Sequence, residues 1–550
     1  MAKKIKKCNQ DVTLKTQTPS IKNSLYLKPT NKDEVVQIIN TLKSFKSPGY
    51  DNITNDLLKD IATYIADPVA NIVNKSFSSG IFPSALKKTI IKPIFKAGDK
   101  MEVSNYRPIS LISGLAKIYE KILKERITKF LDKYHILSDH QFGFRKGKST
   151  SDAMLSLTTK IYQSLDKKRP AMALFIDLAK AFDTVDHTQL MGVLDSIGFR
   201  GISYNLIQDY LKDRTQTVQI GKVYSQGKTV KYGVPQGTVL GPVLFNIYIN
   251  SLFSLDIKGK IMSFADDTVV FFEDDNWTNL KNKIETEMSK ICHFFSNKLL
   301  TVNISKTYCM PFTSYRANLP NYNNLTMNTN CSCLKSQINM SLHGKYLGII
   351  IDAHLKWDQH IFYVTKKVRS LLGKFKYFKN IFSESHLKML YQALVEPHLT
   401  YGVVAWGGVT NNYLSVLEKA QKWILKIIFA KEFTYPSDTL FKDSGMLDIR
   451  QHFCLSVLLR QHKHKMDINT VQHKHDTRNK EDKIKVPKTT KTITQRSYYF
   501  LGPRIYNSIS PELKKLNSIN LFRKKIGKWI LTKNRNFIHS LIDIKNYYNK

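Results

Sequence analysis

Hydrophobic positions change their spacing along the chain, and the changes divide it. Val35, Ile38, Ile39 and Leu42 recur at helical intervals, and a second helical stretch follows the loop SPGYDNIT (Ser47 to Thr54). From about residue 86 to 352, short apolar runs alternate with amphipathic helical stretches. AMALFIDL (Ala171 to Leu178) reads as a buried strand, and IMSFADDTVVFFE (Ile261 to Glu273) as strand, tight turn, strand. Ile284, Met288, Ile291, Phe295 and Leu299 mark one face of a helix, and KYLGIIID (Lys345 to Asp352) reads as one further strand. From 353 onward the pattern is mostly helical and basic. This order predicts an α+β core. It divides into a basic helical extension over 1–85, a mixed unit over 86–352, a helical unit over 353–440 and a basic C-terminal region over 441–550.

Within that last region, Arg460 to Arg496 holds eleven Lys or Arg against four Asp or Glu, together with His462, His464, His473 and His475. The stretch near 460–496 therefore reads as exposed and flexible, either a solvated linker or a nucleic-acid contact. Aromatic content returns at RSYYFLGPRIYNSI (Arg496 to Ile509), which predicts a small ordered unit.

Charge narrows the partners. The 550 residues carry 84 Lys and Arg against 44 Asp and Glu, a formal net charge of +40. Such a surplus is self-repelling unless a polyanion balances it, and nucleic acid fits better than a membrane surface. The sequence has no apolar run of about 18 residues, and its basic start has no apolar region behind it. Six irregularly spaced cysteines make no disulfide framework, and Cys331 and Cys333 lack a second pair for zinc, so free thiols are expected.

Three carboxylates point to chemistry. Asp177 ends an apolar strand, while Asp266 and Asp267 occupy the turn of an apolar hairpin. One such aspartate is an ordinary cap or turn former. Three on two apolar segments suggest more. If the strands are sheet neighbours, Asp177 and Asp266 face each other and repel unless cations bridge them. Hard divalent ions prefer carboxylate oxygen, and a pair about 4 Å apart supports in-line displacement at phosphorus.

At this point a resemblance enters. FIDLAKAFDTVDH (Phe175 to His187) and SFADDTVVF (Ser263 to Phe271) resemble the two catalytic motifs of reverse transcriptases, with YGVPQGTVLGPVLFNIYIN (Tyr232 to Asn250) similar to the motif between them. NYRPISL (Asn105 to Leu111) and HQFGFRKGKST (His140 to Thr150) resemble fingers motifs, and LTVNISKT (Leu300 to Thr307) and KYLGIIID the last palm motifs. All seven stand in the family's order, and the wording is most similar to jockey-like, non-LTR (LINE-type) retrotransposons. Arg496 to Leu531 resembles the tail of those polyproteins less specifically.

The resemblance implies a right-hand polymerase, with fingers and palm over 86–352 and a helical thumb over 353–440. It makes Asp177 and Asp266 metal-binding, adds the Leu178 backbone carbonyl, and makes Asp267 their acidic neighbour. Phe182 takes the place of the aromatic gate beside the sugar 2′ position. Pro235, Gln236 and Gly237 match the turn under the new base pair. Arg107, Lys117 and Arg145 are cationic positions for the triphosphate, or else surface charges or template contacts. Lys306 resembles the lysine that protonates pyrophosphate. The implied cofactor is Mg²⁺, with Mn²⁺ as a substitute. The implied partners are an RNA template, a DNA primer and deoxynucleoside triphosphates, with no membrane.

Such elements usually carry an endonuclease ahead of the polymerase. The roughly hundred residues before Asn105 leave no room for one, so the expectation is either a fragment of a larger reading frame or a stand-alone polymerase remnant, with the nick made by something else. Location is expected in the nucleus with a cytoplasmic ribonucleoprotein stage, with Lys3 to Lys7 as a weak import signal. Trp357, Tyr391 and Trp406 read as helix-packing aromatics rather than base-stacking ones. Two other readings stand beside this one. One is an inactive or domesticated remnant that only binds nucleic acid. The other is an RNA-directed RNA polymerase, which Phe182 disfavours.

Overall fold

A computed structural model describes residues 21–314, 318–328, 335–467 and 483–543. Among these, the strands in chain order are β1 (Lys88–Phe95), β2 (Tyr106–Leu111), β3 (Ala171–Ile176), β4 (Thr215–Ile220), β5 (Val223–Tyr224), β6 (Lys228–Thr229), β7 (Lys260–Phe264), β8 (Asp267–Glu273), β9 (Tyr308–Phe312), β10 (Asn324–Asn328), β11 (Lys335–Asn339), β12 (His343–Tyr346) and β13 (Ile349–Asp352). One sheet runs β2-β1-β4-β5, with β6 also on β4. A four-stranded sheet runs β7-β8-β3-β9, with all its neighbours antiparallel, and β10-β11 and β12-β13 form two separate two-stranded sheets.

β3 is apolar throughout because both its faces are covered. Strand alternation sends Met172, Leu174 and Ile176 into one hydrophobic core and Ala171, Ala173 and Phe175 into a second. The first core includes the helices Gly114–Lys133, His187–Ser196, Gly241–Ile249 and Trp277–Asn297. The second includes the helices Thr150–Asp166, Asp358–Arg369, Asn411–Ile428, Ile449–Asp467 and Tyr498–Asn507. The four-stranded sheet thus lies between two apolar layers, and each fully buried Leu or Phe contributes about 1.5–3 kcal/mol. The architecture is that of a right-hand polymerase: a palm sheet, a fingers sheet whose β1 and β2 precede β3 while β4, β5 and β6 fall between β3 and β7, and a helical thumb after them.

Several expectations need correction. Residues 21–85 are not a separate extension, since Val35, Ile39, Ala70, Val73 and Phe77 share the first core. Arg126 ties them down, bonding Glu34 at 2.5 Å and the Lys28 carbonyl at 2.9 Å. KYLGIIID is a hairpin rather than one strand. Leu347 (φ 47°) and Gly348 (φ 84°) turn the chain between β12 and β13, the two positive φ values of a tight primed turn. Leucine is a rare occupant there, so the turn is hidden in the sequence.

Residues 460–467 are not linker but the end of the helix Ile449–Asp467. Arg460 bonds Asp152 at 2.5 Å, and His462 is buried against Phe522 and the Tyr506 hydroxyl. Lys3 to Lys7, Cys331, Cys333, His473 and His475 lie outside the described residues. Trp357, Tyr391 and Trp406 are fully buried in the second core, as packing aromatics should be. No helix among the described residues is long and apolar enough to cross a membrane.

Candidate active site

The β3–β8 register brings the three aspartates together. Ile176 pairs with Thr268, and one further step sets Asp177 opposite Asp267. Asp266 stands beside them in the two-residue turn joining Phe264 to Asp267. Asp177 is fixed from the other side. Its N–H donates to Thr307 Oγ1 at 3.3 Å, and its carbonyl accepts from Asn303 N–H at 2.8 Å. Leu178 bridges to Val302 and is itself buried.

The electrostatics are those of crowded acids. Burial raises the Asp266 carboxyl above its ordinary range, and Asp177 raises it further. Asp267 is exposed on one side, yet the protein packed beneath it, then Asp266 and Asp177, push it up to about 6. Lys96 and Arg107, both exposed at the β1–β2 end, pull both groups back down. Among the described residues no three His, Cys, Asp or Glu side chains form a ready-made metal site. An open acidic cluster fits an ion that takes one or two carboxylates and completes its shell with water and substrate phosphate.

The turn itself is strained. Ala265 has φ +60°, a left-handed conformation that costs an L-residue about 1–2 kcal/mol. The fully buried Gln141 side chain bonds its main chain.

A second group of residues lies at the other end of the cluster. Phe182 is half-buried, stacked on Phe245 (centroids 4.4 Å apart, 23° between planes) and edge-on to Phe144 at 6.1 Å. Val234 N–H donates to the Phe182 carbonyl at 2.8 Å, which draws the Pro235–Gly237 loop alongside. Gln236 Nε2 donates to Asp183 at 3.0 Å, and its carbonyl accepts from Ser110 N–H at 2.7 Å. Gly237 has φ +101°, and a Cβ there would stand 2.9 Å from the Ser110 carbonyl oxygen. Only glycine fits that approach to β2. Glu120 holds the next turn from beneath. Fully buried, it accepts from Val239 N–H (2.6 Å), Leu240 N–H (3.1 Å) and the Tyr210 hydroxyl (3.0 Å).

The expected cations separate. Arg107 acts on the acidic cluster, and Lys306 is exposed on the loop that binds Asp177. Lys117 is partly desolvated, which lowers its pKa, while the charges of Asp51 and Glu120 pull it back up. Arg145 is folded back onto its own loop, donating to the Ser138 carbonyl at 2.5 Å, with Asp139 at 3.9 Å. Sequence reading missed Lys96, Glu120 and Gln141. A lysine ending the apolar run IIKPIFK was a signal for the first. The other two show no signal in sequence, because their partners lie more than a hundred residues away.

The family described as reverse transcriptase (RNA-dependent DNA polymerase) matches residues 94–351, which contain every element of this cluster. That region of the chain is similar to the reverse transcriptases. Its relatives include the probable RNA-directed DNA polymerase from transposon BS of Drosophila melanogaster, 29% identical over 451 residues, covering 80% of this chain and 49% of that protein. The corresponding protein from transposon X-element is 26% identical, covering 76% and 46%. The RNA-directed DNA polymerase from mobile element jockey is 25% identical, covering 74% and 44%. These relatives are named as polymerases of transposons or mobile elements, and the chain spans about half the length of the curated relatives it matches.

Proposed function

We propose that this chain is an RNA-directed DNA polymerase that extends a DNA primer on an RNA template for a non-LTR retrotransposon. The observation that carries this is the convergence of Asp177, Asp266 and Asp267 on one strand end, where burial and neighbouring carboxylates raise the pKa of Asp266 and Asp267. In this reading Asp177 and Asp266 hold Mg²⁺, or Mn²⁺ in its place, with the Leu178 carbonyl, and Asp267 completes the negative field. The ions supply a more acidic 3′-hydroxyl and neutralise charge on the leaving pyrophosphate.

The chain's own residues do the rest. The primer O3′ bonds the α-phosphorus as the bond to pyrophosphate breaks. Lys96 and Arg107 neutralise the triphosphate from the β1–β2 end, and Lys306 gives a proton to the departing pyrophosphate. Phe182, held flat by Phe245, fills the space a ribose 2′-hydroxyl needs. Gln236 and Gly237 support the new base pair. Lys117, on the helix Gly114–Lys133 with Asp51 and Glu120 as charge partners, and Arg145, folded onto its own loop, reach phosphate only if these elements rearrange.

Fingers and palm span 86–352 in this reading and the thumb 353–440, with the template–primer held through backbone and A-form shape. Action in the nucleus after a cytoplasmic ribonucleoprotein stage, and a nick supplied by an endonuclease, complete it. Template choice tests it: dTTP incorporation on poly(rA)/oligo(dT) should require a divalent ion and exceed UTP incorporation. Equal use of UTP, or incorporation only on poly(dA), would remove the RNA-to-DNA assignment.

A further inference from the structure

Gln141 is fully buried, and both atoms of its carboxamide are engaged with main chain. Its Oε1 accepts from Ala265 N–H and Gly143 N–H, each at 3.1 Å, and its Nε2 donates to the Ala265 carbonyl at 3.4 Å. Ala265 is the residue at φ +60° immediately before Asp266. The segment carrying Gln141 is itself pinned to β7. Ser263 N–H donates to the His140 carbonyl (3.0 Å), Phe142 N–H to the Ser263 carbonyl (2.8 Å), and the Asn246 side chain to the Gly143 carbonyl (2.8 Å). A Cβ on Gly143 would stand 2.2 Å from Ala265 N, so the two backbones touch.

We propose that Gln141 is a positioning residue for the acidic turn: it holds Ala265 in its left-handed conformation and thereby sets where the Asp266 and Asp267 carboxylates stand relative to Asp177. The proposal rests on reading that turn as metal-binding. A strained non-glycine residue persists only where its surroundings over-determine it. A primary amide presents a donor and an acceptor together, the complement of a peptide N–H and C=O. Leucine at 141 fills similar space but leaves both peptide groups buried and unpaired. Glutamate keeps the acceptor and regains the donor only when protonated, so Gln141→Glu carries its own switch.

The test compares full-length wild type, Gln141→Leu, Gln141→Glu and Asp177→Ala. Mn²⁺ affinity is read by water-proton relaxation, and kcat and KM for dTTP are read across pH on a poly(rA)/oligo(dT) substrate. Gln141→Leu should lose about tenfold to a hundredfold in kcat and about tenfold in Mn²⁺ affinity, with RNA affinity and KM little changed. The kcat of Gln141→Glu relative to wild type should climb as pH falls, a trend that mere packing does not give. Wild-type kcat and Mn²⁺ affinity in Gln141→Leu would overturn the proposal. So would parallel loss of melting temperature, RNA affinity and kcat in both variants with no pH trend in their ratio to wild type. If wild type binds Mn²⁺ through Asp177 yet extends no primer, the polymerase reading falls. The clamp is then decided by Mn²⁺ alone: weaker binding in the Gln141 variants supports it and unchanged binding overturns it.

Discussion

Asp177 stands at the register position opposite Asp267, one step past the last paired residues of β3 and β8, Ile176 and Thr268. Asp177 and Asp267 are thus placed by backbone pairing at the end of a strand buried on both faces, and Asp266 by the turn between β7 and β8. The pairing depends on apolar alternation that a one-residue slip would invert.

The raised carboxyl pKa values predict a pH-dependent response to metal. Asp267 holds its proton to about 6 in the folded chain, against 3.8 ordinarily. Between those values the folded state binds more protons than the unfolded one, so ionising Asp267 withdraws stability as pH rises. A divalent cation offsets that loss only where the carboxylates are charged. Mg²⁺ should therefore raise the melting temperature more above about pH 7 than near pH 5, and Asp267→Asn should shrink the difference. Equal shifts at both pH values would argue against a metal held by this cluster.

Phe182 is braced by the stack on Phe245. Phe182→Ala should raise the ribonucleotide-to-deoxynucleotide ratio of kcat/KM by about tenfold to two-hundredfold, measured by single-nucleotide extension with paired triphosphates. An unchanged ratio would remove the gate assignment and leave Phe182 a packing residue.

Gly237→Ala meets the Ser110 carbonyl oxygen at 2.9 Å from a residue at φ +101°. It should cost about 1–3 kcal/mol of stability by denaturant unfolding and raise the KM for dTTP. A stable variant with normal KM would show that the loop can move away from β2 freely.

Charge reversal at Lys96 or Arg107 should act on triphosphate more than on RNA. Each should raise the KM for dTTP by about tenfold or more, while the salt dependence of RNA binding, set by how many phosphates the other cations neutralise, stays nearly the same. Loss of RNA affinity with unchanged KM would place these two cations on the template instead.

Much of this was legible in the sequence, for a physical reason. AMALFI is apolar at every position because both faces of β3 are covered, and ADD between two apolar runs is a hairpin turn. Phe182, Gln236 and Gly237 sit within local motifs and come together as those motifs suggest. What stayed hidden depends on long-range partners. The packing of 21–85 into the first core, the fold-back of Arg145 and the Gln141–Ala265 bonds rest on segments distant in sequence or on backbone conformation. The Leu347–Gly348 turn was concealed by a leucine at positive φ.

The most direct measurement is primer extension on poly(rA)/oligo(dT) with Mg²⁺ and dTTP, wild type against Asp266→Ala, with RNA affinity measured on the same preparations. The account predicts extension by the wild type, a fall of more than about a hundredfold in the variant, and equal RNA binding by both. Extension that survives Asp266→Ala, or its absence from a folded, RNA-binding wild type, would contradict it.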